Sequence, residues 1–442
     1  MKNSEISANI KSRLGIEALN PIQLAVLSAD KGNILLLSPT GSGKTIAFAI
    51  AMLKRLTQSA GFVQAAIIAP SRELVLQISE VIRPLAAGWK TTALYGGHNM
   101  NDEIASIQGA MPDIIIATPG RLLDHLNRNT LSLDKLVSLT FDEYDKSLEL
   151  GFQDEIRKIS RKLPRKISSI VLTSATKLDE IPPFLNIKEI KTIDFTQRTE
   201  KPESRIQFVE VPSPERDKLN TLAELLATLG TGNKAIVFLN HRESVERTFS
   251  EMKRRLFPVG MYHGGLEQKD RELAIDMLNN GTTPILISTD LASRGLDIAL
   301  VEAVIHYHLP VTEQVYTHRN GRTARIDASG TVYAITAEGE NIPEYFRFDR
   351  QFSPKPSDTV PEQSAVTTLY FSSGKKEKIS KGDIAGFLIQ KGNLLPAEIG
   401  IISVKDHSAI AAIPREKAKA VLNAVKGQKL KGKSVRVSEI KV

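Results

Sequence analysis

The string Ser38-Pro39-Thr40-Gly41-Ser42-Gly43-Lys44-Thr45 stands between a short apolar run and a helical stretch. Glycines in that setting let main-chain N–H groups converge on a phosphate, and a helix opening at about Gly43 turns its positive end toward it. Thr40, Gly41, Ser42 and Gly43 would form the cradle. The Lys44 ammonium would reach β- and γ-phosphates, and the Thr45 hydroxyl would sit on Mg2+. The loop starts with Ser38 where a generic phosphate loop has glycine. A flexible Ser/Gly turn is the ordinary alternative, and Gly-Lys-Thr between strand and helix argues against it. A phosphate loop needs an acidic partner on a nearby strand to hold the metal. Residues 139–141 run into Asp142-Glu143-Tyr144-Asp145, where Asp142 suits the metal and Glu143 suits the base that deprotonates an attacking water. Alone, such a pair is usually a solvated turn; beside the loop, it completes a hydrolytic site.

A parallel sheet wrapped by helices would position these groups. Apolar runs at 34–37, 65–69, 91–95, 113–117, 136–141 and 169–172 alternate with helical stretches such as 72–82 and 154–162. Several carry polar residues only at their ends, as strands buried on both faces do. After a charged, proline-marked stretch at 197–205 the pattern restarts, with runs at 206–211, 235–239, 259–262, 284–288, 303–308 and 331–335. The fold class expected is therefore α/β, with two doubly wound domains in tandem. Pro354, Pro356 and Pro361 mark a second linker. The tail reads β-α-β-β-α-β over 366–371, 381–390, 400–404, 409–413, 415–425 and 434–437. That order is the split-βαβ plan of RNA-recognition domains. The expected domains span 1–200, 205–340 and 366–442, with 341–365 as linker.

Of the net charge of +8, residues 366–442 hold fifteen Lys and Arg against six Asp and Glu, so the rest of the chain is almost neutral. A compact basic terminal domain suggests a polyanion partner; a solubilising lysine face is the plain alternative. With no cysteine, disulfides, thiolate zinc sites and cysteine nucleophiles are excluded, and a reducing, cytoplasmic setting is expected. Residues 1–10 lack a signal-type apolar segment and the apolar runs are strand-length, so no membrane partner is expected.

In order, the motifs resemble those of the DEAD-box RNA helicases. Asn20-Pro21-Ile22-Gln23 is similar to their adenine-reading motif. The phosphate loop follows, then Pro70-Ser71-Arg72-Glu73-Leu74, Gly96-Gly97, Thr118-Pro119-Gly120-Arg121, Asp142–Asp145 and Ser174-Ala175-Thr176. The second domain adds Ile236-Val237-Phe238, His263-Gly264, Gln268 with Arg271, Ser293-Arg294-Gly295-Leu296-Asp297 and His318-Arg319-Asn320-Gly321-Arg322-Thr323-Ala324-Arg325. The resemblance implies two RecA-like domains and an RNA-dependent ATPase that uses ATP and Mg2+. It implies that Gln23 hydrogen-bonds adenine, Asp297 contacts the ribose, and Arg322 and Arg325 act as arginine fingers on the γ-phosphate. Ser174 and Thr176 would couple ATP to RNA. Arg72, Gly97, Thr118, Gly120, Arg121, Gly264, Thr289 and Arg294 would line the RNA path, holding phosphate and sugar without reading sequence.

Some positions depart from the family pattern. Tyr144 stands where the family has Ala, which would set a bulky ring beside the metal carboxylates. Ile6 stands where an adenine-stacking aromatic is expected. Asn20 replaces Thr, His241 a common Thr, His308 an Asp, Asn320 an apolar residue and Ala324 a frequent Gly. Lys44, Glu143, Arg322 and Arg325 are all kept, so hydrolysis is expected.

Residues 366–442 resemble the RNA-binding tail of the DbpA subgroup, through Thr368-Leu369, Gly374-Lys375-Lys376, Gly382-Asp383-Ile384, Glu398-Ile399-Gly400 and 429–437. This implies a grip on a large-subunit ribosomal RNA hairpin by a monomer acting on pre-ribosomal particles. Its third strand lacks an aromatic, and only one of Tyr370 and Phe371 can face outward. Lysines and loops are therefore expected to bind, with Lys375, Lys376, Lys431 and Lys433 as contacts. Two competing readings are an ATP-gated RNA clamp with weak hydrolysis, permitted by Tyr144 and Ile6, and a DNA translocase, which the motifs and tail oppose.

Overall fold

In a computed structural model of the chain, residues 1–29, 32–39, 41–97, 100–176, 180–196, 206–293, 298, 301–323, 329–356 and 361–440 are described. They fall into two compact units, Met1–Pro202 and Glu203–Val442. Thr40, Arg294, Asp297 and Arg325, all expected at the site, lie outside the described residues.

The first unit is built on β1 (Ile34–Leu37), β2 (Ala65–Ile68), β3 (Thr91–Leu94), β4 (Ile114–Ala117), β5 (Ser138–Phe141), β6 (Ser169–Ser174) and β7 (Lys191–Asp194). They pair in the order β3-β4-β2-β5-β6-β1-β7, all parallel. Every residue of β1, β2, β4, β5 and β6 is buried. Alternate residues feed two cores on opposite faces: Ile34, Leu36, Ile67 and Ile116 go to one, Leu35, Leu37, Ile68 and Ile115 to the other. This two-sided burial is why the strands read as unbroken apolar runs.

The second unit repeats the plan with β8 (Ile206–Ser213), β9 (Ala235–Phe238), β10 (Val259–Tyr262), β11 (Ile285–Ser288), β12 (Ala303–His306), β13 (Gly330–Ala337) and β14 (Arg350–Gln351). Its order, β10-β11-β9-β12-β13-β8-β14, matches the first sheet strand for strand. In such open parallel sheets the loops at the carboxyl ends of the strands gather ligands. Among the described residues, Lys44, Asp142, Glu143, Ser174, Gly264 and Thr289 stand at or just beyond such strand ends.

The same unit carries an antiparallel sheet of β15 (Val366–Phe371), β16 (Ile402–Val404), β17 (Ala409–Pro414) and β20 (Val437–Glu439), in the order β16-β17-β15-β20, and a hairpin of β18 (Lys429–Leu430) with β19 (Lys433–Ser434). Leu369, Phe371, Ala409, Ala411 and Ile413 pack on the helices Lys381–Gln390 and Ala418–Val425. The opposite sheet face is the one on which RNA-recognition folds stack bases. Here Thr368, Ile410 and Ala412 on that face are buried as well. Thr368 Oγ1 accepts from Asn280 Nδ2 at 2.9 Å and meets Thr282 Oγ1 at 2.7 Å. Ser364 Oγ donates to Gly281 O at 2.6 Å, and the Lys405 ammonium lies 3.2 Å from Asp276 on the helix Gln268–Asn279. The face is thus docked onto the second parallel-sheet domain around Thr368, while Tyr370 on the same face stays exposed. Burial raises the Asp276 carboxyl and Lys405 only partly offsets that, so the neutral hydroxyl and amide contacts are the favourable part of this interface.

Candidate nucleotide and nucleic-acid site

The helix Pro21–Ser28 opens with a capping box. The Asn20 side chain accepts from Gln23 N at 3.1 Å, and Gln23 Oε1 accepts from Asn20 N at 3.0 Å. The departure at position 20 is therefore a good N-cap. The same two side chains hold the phosphate loop: Asn20 Nδ2 donates to Ser42 O at 2.9 Å and Gln23 Nε2 to Gly43 O at 3.4 Å. Gly43 has φ +85°, and a Cβ there would stand 2.6 Å from Gln23 Nε2 and 2.7 Å from Asn20 Nδ2. Gly43 starts the helix Lys44–Leu53, with Thr45 in its first turn. Ile6 is fully buried in the core below, so it cannot line an open adenine site.

Lys44 is buried, and its ammonium donates to Ser38 O at 2.5 Å and Pro39 O at 2.9 Å. Burial lowers its pKa, and Asp142, Glu143 and Asp145 pull the other way. Burial raises the Asp142 carboxyl despite a 2.5 Å hydrogen bond donated by Thr173 Oγ1 and the charge of Lys44. Each ion is short of counter-charge, so a phosphate beside Lys44 and a divalent cation beside Asp142 would each relieve a desolvated group. Ser38 and Ser42 also hold buried hydroxyl oxygens with no partner among the described residues. Orphan donors of this kind fit a phosphate ligand. Thr45 and Asp142 fit Mg2+, which takes few protein ligands and keeps waters and phosphate oxygens.

Glu143 has φ +47° and caps the short helix Tyr144–Glu149. Its N–H donates to Thr173 Oγ1 at 3.1 Å. One hydroxyl thus orients both acidic residues, a role for Thr173 that the motif reading missed although it adjoins Ser174. Thr176 Oγ1 donates to Asp145 Oδ2 at 3.1 Å, and Ser174 Oγ accepts from Thr176 N at 3.2 Å, tying the Ser-Ala-Thr segment to the acidic turn. Tyr144 corrects an expectation. Its ring is fully buried in the core, 5.6 Å edge-on from Phe141. Its hydroxyl has no partner among the described residues. Tyr144→Phe should leave the hydrolysis rate unchanged and raise stability by up to about 1 kcal/mol, because it removes a buried unpaired hydroxyl. Tyr144→Ala should cost about 3–5 kcal/mol through the cavity left behind. Urea unfolding with a parallel ATPase assay checks both.

The residues of the first unit expected to line a nucleic-acid path occupy the carboxyl edge beside β2, β3 and β4. The Arg72 guanidinium lies 4.8 Å over the Tyr95 ring. Gly97, at φ +98°, lets Arg72 NH1 come within 3.0 Å of where a Cβ would stand. Half-buried Thr118 and exposed Gly120 stand at the start of the helix Pro119–Asn127, whose N–H groups suit a phosphate. Arg121 Nε donates to Glu103 Oε2 at 2.5 Å, and that oxygen also meets His125 Nε2 at 3.1 Å. Burial would raise Glu103, but these hydrogen bonds and charges hold it below its usual range.

In the second unit, Gly264 and Thr289 follow β10 and β11. Arg322 is buried, and its Nε donates to Ser293 O at 2.8 Å. Arg319, not among the expected site residues, is the hub. It is fully buried and donates to Asp290 Oδ1 at 2.5 Å, Asn240 Oδ1 at 2.7 Å and His308 O at 2.8 Å, over the Phe238 ring. The loops after β9, β11 and β12 are thus joined to the helix Glu313–Asn320. Beside it, burial and then the Arg319 charge push the His306 imidazole down to about 3, and burial holds His308 at about 4. An unfolded His takes its proton near pH 6.5, so below that the unfolded chain binds more protons and stability falls toward pH 3. His306 alone should lower unfolding free energy by about 1.4 kcal/mol per pH unit across that window. Denaturant titrations at pH 7, 5.5 and 4.5 should show this fall; a flat profile would contradict a neutral buried His306.

In the C-terminal domain Lys375 and Lys376 are exposed, while their main-chain N–H groups are fixed on Lys405 O and Asp406 O, each at 2.8 Å. Lys431 Nζ donates to Lys378 O at 3.1 Å and lies 3.2 Å from Asp383, and Lys433 Nζ donates to Glu377 O at 2.6 Å. The turn 374–379 and the hairpin of β18 and β19 thus make one basic edge. Phe371 faces the core and Tyr370 outward, as alternation required.

The DEAD/DEAH box helicase family matches residues 20–181, the helicase conserved C-terminal domain residues 217–327, and the DbpA RNA binding domain residues 368–439. The chain belongs to the DEAD/DEAH box helicases, as an ATP-dependent RNA helicase whose hydrolysis depends on RNA. It is 33% identical to "ATP-dependent RNA helicase DbpA" of Escherichia coli (strain K12), over 97% of this chain and 96% of that protein. To the protein of the same name from Bacillus subtilis (strain 168) it is 29% identical, over 99% and 98%. Its fold is similar to S. cerevisiae Dbp5 bound to RNA and ADP BeF3, with TM-score 0.65 and 27% identity over 76% of this chain and 87% of that one. It is also similar to Mss116p bound to ssRNA and AMP-PNP, with TM-score 0.68 and 25% identity over 88% and 83%.

Proposed function

We propose that the chain couples ATP hydrolysis to local separation of short RNA duplexes in the 23S ribosomal RNA of assembling large subunits, acting as a cytoplasmic monomer. The observation that carries this is the C-terminal domain. Its family match is to a DbpA RNA binding domain, and its usual base-stacking face is covered around Thr368 by the second parallel-sheet domain, leaving Tyr370 as the exposed aromatic of β15 on that face. Binding is left to the basic edge, where Lys375, Lys376, Lys431 and Lys433 meet phosphates and the shape of a folded hairpin.

The chemistry follows from the site. Gln23 reads adenine. Lys44 trades its loop carbonyls for β- and γ-phosphate oxygens, and Thr45 and Asp142 hold Mg2+, which supplies charge neutralisation to the phosphates. Glu143 takes the proton of the attacking water. Asp297 binds the ribose, and Arg322 and Arg325 stabilise charge on the γ-phosphate. Ser174 and Thr176, through Asp145, link that site to the RNA residues of the same carboxyl edge. The clamp reading leaned on Tyr144 and Ile6, and both side chains turn into the core.

Steady-state hydrolysis tests the reading with no RNA, unstructured RNA, and a large-subunit rRNA fragment carrying the peptidyl-transferase-centre hairpin. Strong stimulation by the fragment alone is expected. Equal stimulation by any RNA would overturn the ribosomal target.

A further inference from the structure

His306 is fully buried at the end of β12, and Asn320, the last residue of the helix Glu313–Asn320, is nearly so. Neither residue has a role in the chemistry above. They meet each other: His306 Nε2 lies 2.9 Å from Asn320 Oδ1. The other ring nitrogen, Nδ1, faces Arg319 NH1 at 3.4 Å. A guanidinium can only donate, so Nδ1 must be the acceptor and the proton must sit on Nε2. Nε2–H then donates to Asn320 Oδ1, which fixes the amide's orientation too. Burial and the neighbouring guanidinium keep the ring neutral, which this pattern requires. Tyr316 stacks at 5.7 Å and Phe346 stands edge-on at 5.5 Å, so the imidazole has no room to rotate away.

The position of Asn320 gives the contact its consequence. An apolar residue there would leave the Nε2–H of a buried ring without an acceptor, so the polar residue at 320 and the imidazole at 306 answer one another. The chain leaves the helix immediately after Asn320. Thr323 N donates to Asn320 O at 3.1 Å and Arg322 N to Arg319 O at 3.1 Å, so the turn that carries Arg322 is built on these two residues. Arg319 holds one end of that turn through Asp290 and Asn240, and Asn320 holds the other through β12.

We propose that His306 and Asn320 are positioning residues for ATP hydrolysis: their hydrogen bond anchors the helix end to β12 and sets the direction in which Arg322 leaves it. This rests on the assignment of Arg322 to the γ-phosphate. An arginine that matters in the transition state and not in substrate binding should report its misplacement in kcat and not in KM.

The test is RNA-stimulated hydrolysis by the full chain with His306→Leu, Asn320→Leu, the double variant, His306→Gln and Arg322→Ala, each checked by thermal unfolding. His306→Leu and Asn320→Leu should each lower kcat about tenfold, with KM for ATP and for RNA within about twofold. The double variant should be no slower than the slower single one, because one shared contact is lost. Gln at 306 keeps an acceptor toward Arg319 and a donor toward Asn320, and should recover most of the rate. Should His306→Leu fail to fold, Asn320→Ala at the helix end carries the same expectation. Parent kcat in the folded single variants, or losses that multiply in the double variant, would overturn the proposal. Parent kcat in Arg322→Ala would instead overturn the assignment on which it rests.

Discussion

Glu143→Gln should reduce RNA-stimulated ATP turnover by about 10³-fold or more, the upper part of what a positioned general base contributes. The substitution changes almost nothing else. Glu143 sits at φ +47° with its N–H on Thr173 Oγ1, and an amide of the same size keeps that turn and the hydrogen bond. Asp142 keeps its own bond from Thr173, so its carboxylate stays in place. Nucleotide affinity should therefore be nearly unchanged while hydrolysis disappears. Because ATP would remain bound, RNA release should slow as well. Fluorescent-nucleotide titration beside a phosphate-release assay separates the two effects. A loss of affinity matching the loss of rate would show that Glu143 serves binding and that another group takes the proton.

Gly43→Ala should be the most damaging single-methyl change in the first unit. The added Cβ would lie 2.6 Å from Gln23 Nε2 and 2.7 Å from Asn20 Nδ2, the two amides that tie the loop to the helix Pro21–Ser28. Moving them breaks a capping box. The φ of +85° adds strain of about 1 kcal/mol or more for any residue with a Cβ. Loss of phosphate cradle and adenine reader together should weaken ATP binding by at least about 100-fold, or close to 3 kcal/mol. Stability should fall by about 1–3 kcal/mol from cap and strain. Calorimetric titration with a non-hydrolysable ATP analogue reads the first effect and urea unfolding the second. Normal affinity would mean that the Asn20 and Gln23 contacts are incidental to the nucleotide site.

The central strands were legible because both of their faces are buried. Residues such as Ile114, Ile115 and Ile116 all had to be apolar whichever way they pointed. The edge strands were not. Lys191–Asp194 buries one residue of four and Arg350–Gln351 none, so neither differs in composition from a loop. The last strand of the tail lies at Val437–Glu439 rather than 434–437, because the hairpin of Lys429–Leu430 and Lys433–Ser434 takes up the residues before it. At the site, residues whose roles follow from local spacing were legible: Lys44 after its glycines, and the acidic pair after β5. What stayed hidden depends on sheet order. Arg319 meets Asn240 across 79 residues and Thr173 meets Asp142 across 31. Tyr144 was misjudged because its burial in the core between strand and helix depends on the tertiary packing of β5 and its neighbours, which residue type does not announce.

The docked part of the sheet face bears on how the proposed ribosomal target would be reached. Thr368, held by Asn280 and Thr282, fixes the basic edge of the tail relative to the second parallel-sheet domain. On the proposed reading, a hairpin gripped there would present neighbouring duplex at a set distance from the second parallel-sheet domain. The most direct test is the rate at which a short labelled RNA strand is displaced from a duplex, with and without the peptidyl-transferase-centre hairpin attached to it, in the presence of ATP. The account predicts ATP-dependent displacement that is much faster when the hairpin is attached. Equal rates with and without the hairpin, or no displacement from either substrate, would contradict it.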